Sequence, residues 1–164
     1  MAIKQHHYQV TLLWTGNRGE GTASYKAYDR SAELHAAGRD TIALSADPAF
    51  RGDKSCWNPE QLLLASVSAC HKLWYLHLCA DAGVVVDGYQ DNPEGTMVEG
   101  DRGHFTQITL RPEITLRNLQ QQSLAADLHH KAHEACFIAN SLNFPVNCEP
   151  LFLAGCGADS APAD

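Results

Sequence analysis

The chain has 164 residues, of which 45% are hydrophobic and 19% are charged, and its formal net charge is −7. This length and composition predict a globular protein with a sizeable core, and they exclude a disordered chain. The acidic balance excludes a general nucleic-acid binder, because such a protein presents a basic face to the phosphate backbone.

Neither a membrane span nor an export signal is predicted. The most apolar stretch, residues 62–80, is interrupted by two histidines and a lysine, which indicates a buried helix. The apolar run Val10–Trp14 is too short for a signal peptide, and no small-residue cleavage site follows it. We therefore expect a cytoplasmic protein with one domain over residues 1–154 and a small, polar, mobile tail over residues 155–164.

The first third of the chain predicts a β-hairpin followed by a short strand. Residues 8–14 are rich in β-forming residues, and a turn sequence follows at Gly16–Gly19. The alternating residues 22–28 predict the returning strand of the hairpin. A further short strand is expected over residues 41–44, and a loop is expected over residues 47–57.

A long helix is predicted to begin after Asn58 and to end near Ala82, before Gly83. Asn58, Pro59 and Glu60 supply an N-cap, a proline at the first helical position and an acid in the first turn. Because this helix is apolar on nearly every side, we expect it to lie in the middle of the fold and to be covered all round.

The second half of the chain predicts more strands and a second helix. Antiparallel strands are expected over residues 84–89, 96–98 and 105–116, a long helix over 118–140 and a final strand over 146–153. Runs of strands separated by single helices predict an α+β fold with antiparallel β-sheets and two long central helices.

Two of the six cysteines lie inside the predicted helices, Cys70 in the middle of the first and Cys136 near the end of the second. If the helices pack side by side, the two sulfur atoms can meet, since a disulfide requires Cα atoms roughly 4.4–6.8 Å apart. A free cysteine is commonly a small core residue, so the spacing alone leaves Cys70 open between packing and catalysis. No role is assigned to the other four, which are Cys56, Cys79, Cys148 and Cys156.

The segments around these two cysteines are distinctive. They are WNPEQLLLASVSACH over Trp57–His71 and AHEACFIANS over Ala132–Ser141, the second followed closely by NFPV. Both resemble the cysteine-containing segments of the OsmC/Ohr family of thiol-dependent peroxidases, and the OsmC-like branch is favoured. The resemblance extends from the N-terminal hairpin to about Pro150, and it implies an OsmC-like fold that forms an intertwined homodimer.

The resemblance also implies an activity. Members of the family reduce organic hydroperoxides, and in some branches hydrogen peroxide, in peroxide stress defence. Here Cys70 would attack the peroxide as a thiolate and become a sulfenic acid, and Cys136 would condense with it to a disulfide. An external dithiol, which is a lipoylated protein in studied relatives, would then reduce the disulfide. No cofactor is implied.

Ionising Cys70 requires a cation, because a helix N-terminus acts only within about one turn. The resemblance implies an arginine held by Glu60. In Ohr-like members it comes from the first hairpin, where Arg18 stands, and in OsmC-like members from the loop before the helix, where Arg51 stands. The loop sequence favours Arg51. Glu60 and Cys70 lie about 15 Å apart along a straight helix, so we expect a pocket that combines groups from two chains.

One alternative is a metal-binding thiol protein. The chain has nine histidines, and His129, His133 and Cys136 follow one another at helical spacings of four and three residues. They would share one face of the second helix, and His71 or Cys70 would complete four ligands. A solvated helix face explains the same pattern.

Two further alternatives stay open. A cysteine hydrolase or acyl transferase would pair Cys70 with His77, but two helical turns separate these residues by about 10 Å, too far for a hydrogen bond. A non-catalytic binder of hydrophobic ligands on the same fold is the other, although the cysteine pair and Glu60 argue against it.

Overall fold

The computed structural model describes residues 4–155, which divide into two compact units at residues 62 and 63. None of the helices in this range has the length and hydropathy that a membrane crossing requires. The predicted tail after Gly155, including Cys156, lies outside the described residues. The boundaries 1–154 and 155–164 therefore stay a prediction.

The first unit contains one three-stranded antiparallel sheet. Its strands are β1 (Thr11–Trp14), β2 (Ala32–His35) and β3 (Ile42–Leu44), in that order across the sheet. Trp14 lies opposite Ala32 in the register. The first predicted strand and its antiparallel pairing are confirmed, and Tyr28 forms an antiparallel bridge with Asn17. The predicted returning strand over residues 22–28 is wrong, because β1 pairs with β2, which begins after residue 28.

Side chains explain why residues 22–28 form turns and not a strand. The Asn17 Oδ1 atom accepts hydrogen bonds from the backbone N–H groups of Gly19 at 2.9 Å and Gly21 at 3.0 Å. The Arg18 guanidinium donates to the backbone oxygens of Lys26 and Ala27. These bonds occupy backbone groups that a strand would pair, so local side-chain chemistry overrides the alternating pattern.

The first helix, α1 (Pro59–Asp81), has the predicted boundaries to within a residue or two. The Asn58 Oδ1 atom accepts from the Gln61 backbone N–H at 2.8 Å, and the Gln61 Oε1 atom accepts from the Asn58 N–H at 3.3 Å. This reciprocal pair is a capping box. The helix ends before Gly83, whose φ of +70° suits the left-handed conformation that glycine adopts without strain.

The prediction that α1 is covered all round is wrong for the single chain. Its buried residues form one stripe at intervals of four: Val67, His71, Tyr75 and Cys79. Leu73, in the middle of the helix, is 64% exposed. One face packs on the core of the second unit, and an apolar face remains uncovered.

The second unit contains two three-stranded sheets. The strands, in chain order, are β4 (Val86–Asp91), β5 (Glu94–Val98), β6 (His104–Leu110), β7 (Pro112–Leu116), β8 (Val146–Cys148) and β9 (Leu151–Ala154). One sheet has the order β4-β7-β9 and the other β5-β6-β8.

These sheets are mixed, which corrects the prediction of antiparallel sheets. β4 pairs with β7 and β5 with β6 in antiparallel fashion, whereas β8 joins β6 and β9 joins β7 in parallel. The parallel pairs arise because the chain passes through the second helix before it returns, and such a connection allows two strands to run in the same direction.

The second helix, α2 (Gln122–Ala135), is shorter than predicted. A 3-10 turn at Leu119–Gln121 precedes it, and Cys136 is its C-cap with an extended backbone, φ −71° and ψ 106°. The predicted helix over 118–140 is therefore wrong beyond Ala135, where the chain leaves the helix and forms another 3-10 turn at Ala139–Ser141.

Two apolar clusters hold the second unit together. One joins α1 and α2 to β7, and its buried residues include Tyr75, Ile114, Leu116, Leu128 and Ala132. The other joins α1 to β6 through Val67, Ile108 and Leu110. Both clusters pack against the α1 stripe on either side of His71, so the middle of α1 is held firmly against α2 and the sheets.

Candidate active site

Cys70 and Cys136 lie next to each other in the second unit. Cys70 is on α1 and is partly exposed, whereas Cys136 is fully buried at the end of α2. Cys136 has an extended backbone where the helix ends, and the Cys70 thiol lies near enough to its thiol to affect the pKa of Cys136. Both cysteines are reduced in this structure.

The two thiols differ in their surroundings. The pKa of Cys136 is raised to about 11, mainly by burial, and the hydrogen bond and charge of Cys70 act in the same direction. The backbone N–H groups of Ala139 and Ile138 oppose this shift but do not cancel it. Cys136 therefore remains a protonated thiol at neutral pH. The arrangement suits a reaction in which the partly exposed Cys70 reacts first with an external molecule and the buried Cys136 then reacts with Cys70.

An apolar surface adjoins Cys70. Leu73 and Trp74 follow it by about one helical turn, and both line a shallow cavity of about 230 Å³ together with His77. The residue after Cys136, Phe137, is 69% exposed and packs edge-to-face against Trp74 with 5.7 Å between ring centroids. An organic group near Cys70 would find aliphatic and aromatic contacts here.

Glu60 is in the first unit, in the first turn of α1. Its Oε2 atom is buried and has no hydrogen-bond partner among the described residues. A buried carboxylate oxygen without a donor is costly, so such an atom calls for a cation or donor to complete it.

The two candidate arginines, also in the first unit, differ in whether their guanidinium groups already have hydrogen-bond partners. Arg18 donates to two backbone oxygens of its own loop, and its Nε lies 3.9 Å from the Asp29 carboxylate. Arg51 has no hydrogen-bond acceptor for its guanidinium among the described residues of the first unit, and within residues 4–62 neither arginine forms a salt bridge with Glu60. Arg51 also has a φ of +66°, the one positive value outside glycine in residues 4–155. Strained backbone of this kind is often found at functional sites.

A family model described as OsmC-like protein matches residues 52–150, which is more than half of the chain. The chain belongs to the OsmC-like protein family. No curated protein sequence matches it.

Solved structures agree with this membership. An OsmC-like protein of unknown function from Vibrio cholerae O1 biovar eltor str. N16961 is 28% identical, with a TM-score of 0.78 over 90% of this chain and 100% of that chain. An organic hydroperoxide resistance protein OsmC from Legionella pneumophila is 21% identical, with a TM-score of 0.63 over 90% and 98%. An organic hydroperoxide resistance protein from Elizabethkingia anophelis is 17% identical, with a TM-score of 0.65 over 93% and 100%. The last two structures show that this chain has the same fold as those proteins.

The structure of this OsmC-like protein argues against two alternatives from the sequence, the metal cluster that includes Cys136 and the pairing of Cys70 with His77. Within residues 4–155, His129, His133 and Cys136 do not form the predicted metal cluster, because the ligand atoms that lie within 4.8 Å of one another are those of His71, His129 and Cys148. The His77 Nε2 atom lies 3.5 Å from the Asp81 carboxylate and is exposed, so it pairs one turn further along the helix and not with Cys70.

Cys148 is the residue that sequence reasoning missed. It was left without a role, yet in this OsmC-like protein it lies on β8 against two buried histidines, His71 and His129. Nothing in the local sequence around Cys148 indicates this contact. It arises from the parallel pairing of β8 with β6, which places β8 beside both helices.

Proposed function

We propose that this OsmC-like protein is a cytoplasmic thiol-dependent peroxidase that reduces organic hydroperoxides in peroxide stress defence. The observation that carries the proposal is the proximity of the partly exposed Cys70 thiol to the buried Cys136 thiol, which is close enough for Cys70 to raise the pKa of Cys136. Two proteins with the same fold are named organic hydroperoxide resistance proteins, which supports the choice of substrate.

The proposed cycle has three balanced steps. The Cys70 thiolate attacks one oxygen of the hydroperoxide, the O–O bond breaks, and the products are a sulfenic acid and an alcohol after the leaving oxygen takes a proton. The Cys136 sulfur then attacks the Cys70 sulfur, and water leaves as the disulfide forms. An external dithiol, such as the dihydrolipoyl group of a lipoylated protein, reduces this disulfide and is itself oxidised to a disulfide.

The apolar surface beside Cys70 favours an organic hydroperoxide over hydrogen peroxide. Leu73 and Phe137 are among the most exposed large hydrophobic residues of the second unit. Contact with an alkyl or aryl group would remove this surface from water, which contributes roughly 25 cal/mol for each Å² buried. Hydrogen peroxide has no group that makes such contacts.

Arg51 is the cation that we propose to activate Cys70, with Glu60 holding its guanidinium. The Glu60 Oε2 atom is buried without a donor, and Arg51 has no acceptor in its own unit, so each supplies what the other lacks. We further propose that the active site forms across a homodimer, with Arg51 and Glu60 of one chain beside Cys70 of the other chain. The edge strand β1 supports this, because all four of its residues are exposed, including Leu12 at 65% and Leu13 at 52%.

The proposal is tested by titrating reduced protein with cumene hydroperoxide in the absence of oxygen and reductant. We expect consumption of about one equivalent per chain, since one Cys70–Cys136 disulfide accounts for two electrons. Peptide mapping and thiol counting identify the bond. A disulfide that involves Cys56, or no peroxide consumption at all, would contradict the proposal. In the second case, binding of the intact hydroperoxide would instead indicate the hydrophobic-ligand binder.

Replacement of Arg51 by glycine separates its proposed role from a structural one. Because the substitution relieves a left-handed backbone conformation, we expect the free energy of unfolding to stay unchanged or to rise by about 1 kcal/mol. Peroxide turnover should nevertheless fall at least about 100-fold, because the charge that stabilises the Cys70 thiolate is gone. Urea unfolding and dithiol-dependent peroxide consumption measure the two effects.

The matched control is Arg18→Ala, which should keep most of the activity. A shared site also predicts complementation: when Arg51→Gly and Cys70→Ser chains are unfolded together and refolded, about a quarter of the wild-type activity should return, because mixed dimers contain one intact site. No recovery in mixtures whose mass spectra show mixed dimers would contradict the shared site. Greater loss in Arg18→Ala than in Arg51→Gly would assign the role to Arg18.

A further inference from the structure

Three side chains from three elements of the second unit converge beside the thiol pair. The His71 Nε2 atom on α1 lies 2.9 Å from the His129 Nδ1 atom on α2. The Cys148 sulfur on β8 lies 3.8 Å from the first nitrogen and 3.6 Å from the second. His71 is 1% exposed and His129 is 4% exposed. Nothing in the peroxidase cycle uses these groups.

The three atoms have the separations of metal ligands. At Zn–N near 2.05 Å and Zn–S near 2.3 Å, tetrahedral angles place two nitrogens about 3.3 Å apart and a nitrogen and a sulfur about 3.6 Å apart. The two N–S distances fall within about 0.2 Å of that value. The two rings now lie within 3° of parallel with 5.3 Å between their centroids, and their facing nitrogens point at each other. Metal binding therefore requires the nitrogens to move apart by about 0.4 Å and the rings to turn toward the ion. Within residues 4–155 this is the one group of three or more such side chains with ligand atoms all within 4.8 Å of one another.

The chemistry of the donors fits as well. Burial lowers the pKa of His71 to about 4 and that of His129 to about 3, so both rings are neutral and can offer lone pairs. Each ring carries one proton, and the proton now shared between the facing nitrogens must move to the far nitrogen of its ring when a metal binds. The His129 Nε2 atom, which would then carry a proton, is buried without a partner among the described residues.

Charge compensation is also present. The pKa of Cys148 is raised to about 12, mainly by burial and in smaller part by the charges of Asp91 and Glu149, so the free thiol is protonated. A divalent ion would displace this proton to solvent and bind the thiolate. Asp91 also raises the pKa of His71 by its charge, opposing the larger effect of burial, while His133 lowers it. The Cys148 thiolate would balance one of the two positive charges of the ion.

A solvent route leads to the cluster. A cavity of about 360 Å³ is lined by His129 and Cys148 themselves, and by His130, His133 and Asn147. An ion can enter here, and a water molecule or an external donor can take the fourth coordination position from the same side. Three protein ligands with one open position are typical of zinc sites that exchange their fourth ligand.

We propose that His71 Nε2, His129 Nδ1 and Cys148 Sγ bind a thiophilic divalent metal ion, with Zn²⁺ as the ion whose coordination they fit. The site joins α1, α2 and β8. It differs from the set formed by His129, His133 and Cys136, since it takes its sulfur from a strand and not from the end of α2. Binding does not depend on the peroxidase cycle.

The test uses the full chain with Cys70→Ser and Cys136→Ser, which removes the neighbouring thiol pair as a competing ligand set and also removes the proposed activity. Titration of this reduced protein with Co²⁺ should produce a thiolate-to-cobalt charge-transfer band that saturates at about one ion per chain. Zn²⁺ should displace the cobalt and raise the melting temperature. Adding Cys148→Ser should abolish the band and weaken Zn²⁺ binding more than about 100-fold, measured by competition with a chromophoric chelator.

The matched control is His133→Ala, which changes another residue of the cavity lining and should leave the cobalt band and the zinc affinity unchanged. Circular dichroism verifies folding, and His129→Asn serves with the same readouts if Cys148→Ser does not fold. The proposal is overturned if the band survives in Cys148→Ser, if the double-serine protein shows no band, or if His133→Ala abolishes it. In those cases the cluster is a hydrogen-bonded network of neutral side chains.

Discussion

Replacement of Cys70 by serine is expected to abolish peroxide turnover, lowering kcat/KM by more than about 1,000-fold. A serine hydroxyl does not ionise near neutral pH, and it cannot form the sulfenic acid on which the later steps depend. The fold should be retained, because Cys70 is partly exposed and is not part of either core cluster. Dithiol-dependent consumption of cumene hydroperoxide measures the effect.

Cys136→Ser should behave differently. It should still complete one oxidation, because Cys70 is intact, but the sulfenic acid then has no neighbouring thiol. We expect it to react with a sulfenate-specific reagent and, with excess peroxide, to proceed to the sulfinic acid, which intact mass spectrometry detects. Cys56→Ser is the control and should resemble the wild type. Equal turnover in wild type and Cys70→Ser would refute the peroxidase proposal.

Gly52→Ala is expected to be the most damaging change in the first unit. A Cβ atom at this position would lie 1.6 Å from the Ala46 backbone oxygen, so backbone and not a flexible side chain must move. The segment is held by hydrogen bonds from the Gly52 N–H to the Asp47 oxygen at 3.0 Å and from the Asp53 N–H to the Ser45 Oγ atom at 3.0 Å. We expect the free energy of unfolding to fall by about 3 kcal/mol or more.

In Gly52→Ala, peroxide turnover should fall together with the free energy of unfolding, because the neighbouring Arg51 is displaced with this segment. The control is Gly38→Ala, which also changes a glycine of the first unit, has a φ of +70° and meets nothing within 4 Å. It should cost only about 1 kcal/mol and leave turnover unchanged. Urea unfolding and peroxide consumption are measured on both. Equal losses in the two variants would contradict the claim that the contact with the Ala46 backbone makes Gly52 indispensable.

Sequence reasoning succeeded where the governing contacts are local. The boundaries of α1 follow from Asn58, Pro59 and Gly83, each of which acts within about one turn of its position. The family resemblance rests on the same helix and on the segment that contains Cys136. The side-by-side position of Cys70 and Cys136 could be anticipated only as a possibility, since it depends on how α1 packs against α2.

Sequence reasoning failed where distant segments compete for the same partner. The alternating residues 22–28 look like a strand, but Arg18 occupies the backbone oxygens of Lys26 and Ala27 in this segment, and β2 becomes the partner of β1. The sheets were predicted to be antiparallel because adjacent strands can be joined by turns. The parallel positions of β8 and β9 depend on the return path after α2, which no local pattern encodes.

The sequence by itself determined the fold class, the two helices, the pair of cysteines and the family, because capping residues, apolar periodicity and short motifs act over a few residues. Only the tertiary structure decided which thiol is buried, which arginine has no hydrogen-bond acceptor in its own unit, and that Cys148 meets His71 and His129. These properties depend on burial and on distances between residues far apart in the chain. Such distances are set by how complete helices and sheets pack against one another, which no short stretch of sequence specifies.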